Sequence, residues 1–311
     1  MILSERDRFE LIMDRFNAKI LLFGEYSVLT GSDALTIPYP KYSGRLLIPV
    51  SKTGKVQKRS NRVLYQYVNF LKSVKSLSRL IRFEFDRLTS DLENGLYFNS
   101  SVPVQYGLGS SGMLVAAVFK EYTRKDLESF KPEKLRELFA LAESFFHGQS
   151  SGIDPLTSYT SLPVLYSKER IRLVDQELYH RIKNRFYLYN TGGPAETGNL
   201  VSRFLSRLDD MHYKAQFLSD YTERINNLID QLVRCGNDDI FREMQLISGL
   251  QLKYFREMIP DSMVPLWEKG LRSGNYSMKL CGSGGGGYFL VHSQLPIATL
   301  NSQFNKTLEL V

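Results

Sequence analysis

PVQYGLGSSGML, from Pro103 to Leu114, joins a run of glycines and serines directly to an apolar stretch that continues to Phe119. Small residues with permissive backbones, set just before a helix, form a loop that can wrap an anion. Glycine lets the main chain approach closely, and the N–H groups and positive dipole at the helix start face whatever sits at Ser110, Ser111 and Gly112. The hydroxyl of Ser111 is suited to Mg²⁺, as loop hydroxyls are in other nucleotide sites. A tight turn into a buried helix is the plainer reading of the same letters. They also satisfy GxGxxG, with Asp126 and Glu128 near the distance of a ribose-binding acid. However, Pro103 interrupts the strand a dinucleotide site needs, and the two acids stand in a charged stretch. A Walker A loop is excluded, because no glycine is followed at the required spacing by Gly-Lys-Ser/Thr.

Outward from that loop, the 311 residues suffice for two domains or one large one. Hydrophobic residues at 43% and charged residues at 23% exclude a disordered, collagenous or coiled-coil chain. The longest apolar run, Met113 to Phe119, is too short for a membrane span, and the charged start does not read as a secretory signal, so a cytoplasmic protein is expected. Two distant cysteines, Cys235 and Cys281, make neither a metal knuckle nor a disulfide framework. A net charge of +7 suits nucleic acid, a membrane surface or a small anionic substrate. The basic residues are scattered, and the cluster Lys52 to Arg62 lacks interleaved aromatics and reads as a solvated loop. No nucleic acid and no membrane are therefore expected as partners, and the chain is read as a monomer or homodimer.

Before the loop, AKILLFGEYSVL (Ala18 to Leu29) reads as two strands meeting at a turn near Gly24, with Glu25 and Tyr26 at its edge. GRLLIPV and LIRFEFDRL continue a strand-like pattern, which makes the first third β-rich. After the loop, helices are expected from Gly112 to about Lys120 and from Pro132 to Phe146, the second with an apolar stripe and proline at its start. LPVLYS and RFYLYN read as strands, about Asn199 to Met258 as mostly helical, and Met278 to Ser293 as strand, glycine turn, strand. This order predicts an α+β protein, divided into domains at residues 1–175 and 176–311.

Two further segments hold groups that could carry chemistry. ESFFHGQSSGIDPLTSY (Glu143 to Tyr159) places an acid at a helix margin, then a His-Gly break and an Asp before proline. Taken singly, Asp154 reads as a helix N-cap, Glu143 as a surface acid and His147 as a helix C-terminal residue. Gly148 to Gly152 also matches GxSxG, with Ser150 as nucleophile, but that elbow needs a preceding strand where this sequence has a helix. CGSGGGG, from Cys281 to Gly287, is either a loose hairpin or a backbone surface against a ligand. The cost of so many glycines in the unfolded chain favours the second.

Together the segments resemble the GHMP kinase superfamily, named for galactokinase, homoserine kinase, mevalonate kinase and phosphomevalonate kinase. KILLFGEYSVLTG looks like its first motif, PVQYGLGSSGML like its phosphate loop and KLCGSGGGGYFL like its third motif. HGQSSGIDP is similar to the corresponding segment of mevalonate kinases. The resemblance implies a two-domain fold, with an N-terminal part like domain 2 of ribosomal protein S5 and a C-terminal ferredoxin-like α/β sandwich. It implies ATP and Mg²⁺ as cofactors and phosphorylation of a hydroxyl on a small, anionic molecule, mevalonate first, in isoprenoid precursor synthesis.

By position, the resemblance makes Asp154 the base that accepts the substrate proton and Lys19, otherwise a solvated residue at a strand start, its charged partner. It makes Ser111 and Glu143 the Mg²⁺ ligands. Gly107, Leu108, Gly109, Ser110, Ser111 and Gly112, with Gly282, Ser283, Gly284 and Gly285, would hold the nucleotide. Glu25, Tyr26, His147, Gly152 and Thr197 would meet the substrate. Two departures stand out. Tyr26 replaces the histidine usual in mevalonate kinases, as in many phosphomevalonate kinases, and Gly112 replaces the usual alanine, which should loosen the helix start. A phosphomevalonate or sugar kinase, a non-catalytic binding protein of the same fold and a nucleotide-dependent oxidoreductase are the alternatives.

Overall fold

A computed structural model describes residues 13–49, 54–102, 106–123, 127–175, 177–182, 185–195, 200–234 and 240–311, with the side chains of Ser78, Glu128 and His147 outside it. Thr197, Cys235, Asp126 and Pro103, all singled out above, lie outside the described residues. The protein is α+β, and packing groups the chain into two compact units that alternate along the sequence. Among the described residues, the first takes in those within 13–19, 38–102 and 109–161, and the second those within 20–37, 106–108 and 162–311.

Strands β1 (Phe16–Phe23) and β2 (Ala34–Leu47) each run through both units. In the first unit β2 pairs antiparallel with β3 (Tyr97–Ser100), from Gly44 opposite Ser100 to Leu47 opposite Tyr97. Helices α1 (Lys55–Ser73), α2 (Lys75–Leu80) and α3 (Phe85–Glu93) lie between these strands in sequence. After the glycine-rich segment come α4 (Ser110–Tyr122), α5 (Pro132–His147) and α6 (Ile153–Thr160). Every residue of α4 from Gly112 to Phe119 is buried, so this helix is apolar all round, and α5 and α6 pack on it. Phe119 meets Phe139 edge-on at 5.1 Å between ring centres, and Phe139 meets Tyr159 at 5.4 Å.

In the second unit the start of β2 pairs antiparallel with β4 (Val164–Ser167), which pairs with β5 (Arg170–Leu173). Helix α7 (Glu177–Ile182) leads to β6 (Phe186–Asn190). The helical block follows as α8 (Leu200–Arg207), α9 (Met211–Phe217), α10 (Glu223–Arg234), α11 (Ile240–Tyr254) and α12 (Val264–Ser273). Strands β7 (Tyr276–Leu280) and β8 (Tyr288–Ser293), helix α13 (Ile297–Phe304) and β9 (Glu309–Leu310) complete it, with a second sheet ordered β7-β8-β6-β9. All of β7 and β8 is buried, and α11 and α12 cover β7. Trp267, fully buried on α12, donates its indole N–H to the Ser248 carbonyl at 3.2 Å.

Three sequence expectations are corrected. Lys52 to Arg62 is not a loop: from Lys55 it is the first half of α1, whose buried face is Leu64, Tyr67, Val68 and Leu71. That stripe begins beyond the charged cluster, and its spacing of three and four is helical. LIRFEFDRL is strand-like only as far as Phe83, which bridges Thr123; from Phe85 the spacing of buried Leu88 and Leu92 prevails and the chain is helical, so the first third is not predominantly β. AKILLFGEYSVL is one strand, not two. Gly24 at φ 111° and Tyr26 at φ 59° turn the chain into a 3₁₀ turn, Ser27–Thr30.

Candidate active site

Lys19 lies near the middle of β1 and is 4% exposed, so it is not the solvated strand-start residue its type suggests. Its ammonium stands 2.8 Å from Oδ2 of Asp154. Nor is Asp154 the N-cap of its helix. Gly152, at φ 73°, holds that place without a side-chain cap, and Asp154 is the second residue of α6 with Pro155 the third. The carboxylate is therefore free of capping duty and one-third exposed. A buried ammonium thus stands directly beside an accessible carboxylate.

The glycine-rich loop before α4 meets this pair through its glycines. Gly109, at φ 76°, precedes α4, and a Cβ there would lie 2.8 Å from Cγ of Lys19. At Gly112 a Cβ would lie 2.9 Å from the backbone of Asp154 and Pro155. Gly112 is therefore the contact that lets α4 and α6 approach. It does not loosen the helix start, because α4 begins two residues earlier, at Ser110. The sequence reading assigned these glycines to phosphate approach alone, whereas the structure also uses them to seat Lys19 and Asp154.

Glu143, on α5, is 3% exposed rather than a surface acid. Ser111 donates to its Oε1 at 2.9 Å and Ser150 donates to its Oε2. Burial above all, then the nearby Asp154 charge, pushes its pKa up to about 7, against the two hydroxyls and Lys19. Ser150 follows a helix, so the strand required by a nucleophile elbow is absent at this position. Among the described residues no three His, Cys, Asp or Glu side chains gather as a metal cage. Ser111 and Glu143 are a pair of hard oxygen donors, which fits Mg²⁺ completed by phosphates and water.

A second cluster lies within the second unit and joins the first and third motifs. Glu25 and Lys279, both with fully buried side chains, form an ion pair, and Lys279 also donates to the Leu280 carbonyl at 2.7 Å. Tyr26 packs on Phe204 and Phe255, each at 5.0 Å, and its hydroxyl donates to the Ser283 carbonyl at 2.6 Å. Burial, with Glu25 adding to it, holds that phenol far above its ordinary pKa. The glycine turn is backed by further main-chain contacts. Gly285 N–H donates to the Met258 carbonyl at 2.7 Å, and Cβ atoms on Gly107 and Gly284 would meet the carbonyls of Cys281 and Met258 at 2.8 and 2.5 Å. Leu108 is buried and Gly282 has φ 89°.

The structure thus brings Lys19, Gly109, Ser110, Ser111, Gly112, Glu143, Gly152 and Asp154 into the first unit. Glu25, Tyr26, Gly107, Leu108, Gly282, Ser283, Gly284 and Gly285 fall in the second. His147 ends α5, with its side chain outside the description. The sequence reading missed Lys279 and treated Ser150 only as a rejected nucleophile. A buried lysine inside an apolar strand, between Met278 and Leu280, is the signal that could have revealed the first.

A family model described as the GHMP kinases N terminal domain matches residues 70–161. A mevalonate kinase of Pyrococcus abyssi is 25% identical over 303 residues, covering 89% of this chain and 87% of the relative. Among solved structures, an L. major mevalonate kinase in complex with R-mevalonate matches with a TM-score of 0.64 and 18% identity, over 96% of this chain and 91% of the other. A Streptococcus pneumoniae phosphomevalonate kinase in complex with phosphomevalonate and AMPPNP matches with a TM-score of 0.59, also at 18% identity, over 97% and 98%. The resemblance to the GHMP kinase superfamily, and within it to mevalonate kinases, is borne out, and the fold is that of these kinases. No described helix is long and apolar enough to cross a membrane.

Proposed function

We propose that the chain is an ATP-dependent small-molecule kinase that transfers the γ-phosphoryl group to the hydroxyl of mevalonate, giving 5-phosphomevalonate. The observation that carries this reading is Lys19 at 2.8 Å from Asp154, beside a glycine-gated helix start and a buried carboxylate bonded by the Ser111 hydroxyl.

In this reading Asp154 accepts the proton of the attacking hydroxyl, and the charge of Lys19 beside it steadies the transferring phosphoryl. The first turn of α4 presents N–H groups that its N-cap, Gly109, does not satisfy with a side chain, and these would receive phosphate oxygens. Ser111 and Glu143 would hold Mg²⁺, which supplies neutralisation of phosphate charge when bound. Burial of Glu143 and Lys19 keeps these two side chains away from water. The curated relative named above supports mevalonate as acceptor, and Tyr26 in place of histidine supports phosphomevalonate as the second reading. The division into domains at residues 175 and 176 belongs to the same proposal.

The test is ADP release with ATP and Mg²⁺, run in parallel on mevalonate, phosphomevalonate, galactose and homoserine. Turnover on mevalonate supports the proposal. Turnover only on another acceptor keeps the chemistry and replaces the substrate, and silence on all four with ATP bound points to a non-catalytic protein.

A further inference from the structure

The loop between α5 and α6 holds a hydroxyl to which the reading above gives no task. Ser150 donates to Oε2 of Glu143 and, through the same oxygen, accepts the Gly152 N–H at 2.9 Å. Ser111 engages the other carboxylate oxygen, so the two oxygens of one buried acid are held by hydroxyls from two different elements. The Gly152 end of this link is closely packed. Its φ is 73°, and a Cβ there would stand 2.1 Å from the Arg136 carbonyl on α5. Gly152 also caps α6, two residues before Asp154.

We infer that Ser150 is a positioning residue for the cation site: its hydroxyl clamps Oε2 of Glu143 to the Gly152 turn, which leaves Oε1, the oxygen shared with Ser111, to face a divalent cation. This rests on the proposed reading of Ser111 and Glu143 as ligands. A short hydroxyl suits this place, because one atom there donates to a carboxylate and accepts from an amide at once. Removing it takes a donor from a buried carboxylate and an acceptor from a helix-capping N–H, and the acid is then free to turn its oxygens. Outer partners of metal ligands ordinarily change metal affinity by about 10- to 100-fold when removed.

The test titrates MgCl₂ against binding of a non-hydrolysable ATP analogue by calorimetry, on the full chain and on Ser150→Ala and Ser150→Thr, with melting temperatures taken without Mg²⁺. The expected result is a Mg²⁺ half-point raised about tenfold or more in Ser150→Ala and restored in Ser150→Thr, which keeps the hydroxyl. Ser150→Cys, similar in size and a weak donor, takes the place of the alanine variant if that one does not fold. A half-point equal to the parent's in Ser150→Ala overturns the inference, whether or not the melting temperature falls. A parent chain that binds the analogue without any Mg²⁺ dependence overturns the ligand reading itself.

Discussion

Lys19 reaches Asp154 from β1 while its own stem lies under Gly109, so a single lysine touches both the acid at the start of α6 and the loop that starts α4. Its charge and its packing are separable. Lys19→Met keeps the stem and removes the charge, and it should fold as the parent does yet lose at least about 100-fold in turnover, the scale of a missing charge stabiliser. Urea melts alongside ADP release check this. A variant with full turnover would leave Lys19 a packing residue only.

Gly112 is the contact between α4 and the backbone of Asp154 and Pro155. Gly112→Ala inserts a methyl 2.9 Å from that backbone and must push the helices apart. A stability loss of about 1–3 kcal/mol is expected from overpacking, with a fall in turnover as Asp154 moves. Helix propensity alone predicts the opposite sign, a gain of up to about 1 kcal/mol, so the direction of the change in urea midpoint decides between them.

Glu143 makes the apo protein's stability depend on pH. Its folded pKa of about 7 lies above the ordinary 4.5, so the folded chain holds more protons than the unfolded one between those values. Stability therefore falls as pH rises through that window and levels off above it, by an amount on the order of 3 kcal/mol. A divalent cation favours the ionised form, so stabilisation by Mg²⁺ with ATP should grow with pH through 7. Urea denaturation from pH 5 to 8 on the parent and on Glu143→Gln checks the slope, which the glutamine variant should lose in large part.

The pair of Glu25 and Lys279 is buried on both sides, so neutralising one partner leaves the other charge stranded. Glu25→Gln and Lys279→Met should each cost about 3–5 kcal/mol, and the double variant should recover much of that loss. A double-mutant cycle in urea measures the coupling. Additive losses would mean that the two charges do not support each other.

The loop, the helix after it and the glycine turn between two strands were legible in the sequence because each is written in local chemistry: glycines, an unbroken apolar run and apolar flanks. Helices α1 and α3 were not, because a charged cluster and a short alternation mask a stripe that becomes clear only over three turns. At the site, the loop itself pointed to Ser111, while Lys19, Glu143 and Asp154 were reached only through the resemblance to GHMP kinases. The burial of Lys19 and Glu143 comes from packing between separate elements, and the engagement of Glu25 by Lys279 and of Tyr26 by the Ser283 carbonyl from contacts more than 250 residues apart; none of these leaves a local trace. Gly112 carries the same lesson, since its need for a bare backbone comes from α6 and not from its own helix.

The measurement closest to the central claim compares the parent with Asp154→Asn for ADP release on mevalonate and, separately, for affinity toward a non-hydrolysable ATP analogue with Mg²⁺. The account predicts turnover lowered by at least about 100-fold with analogue affinity nearly unchanged, because the asparagine keeps the shape while losing the proton acceptor and the charge that faces Lys19. An asparagine variant that turns over mevalonate at a near-parental rate would contradict it and leave Asp154 a residue of the α6 first turn without a part in the chemistry.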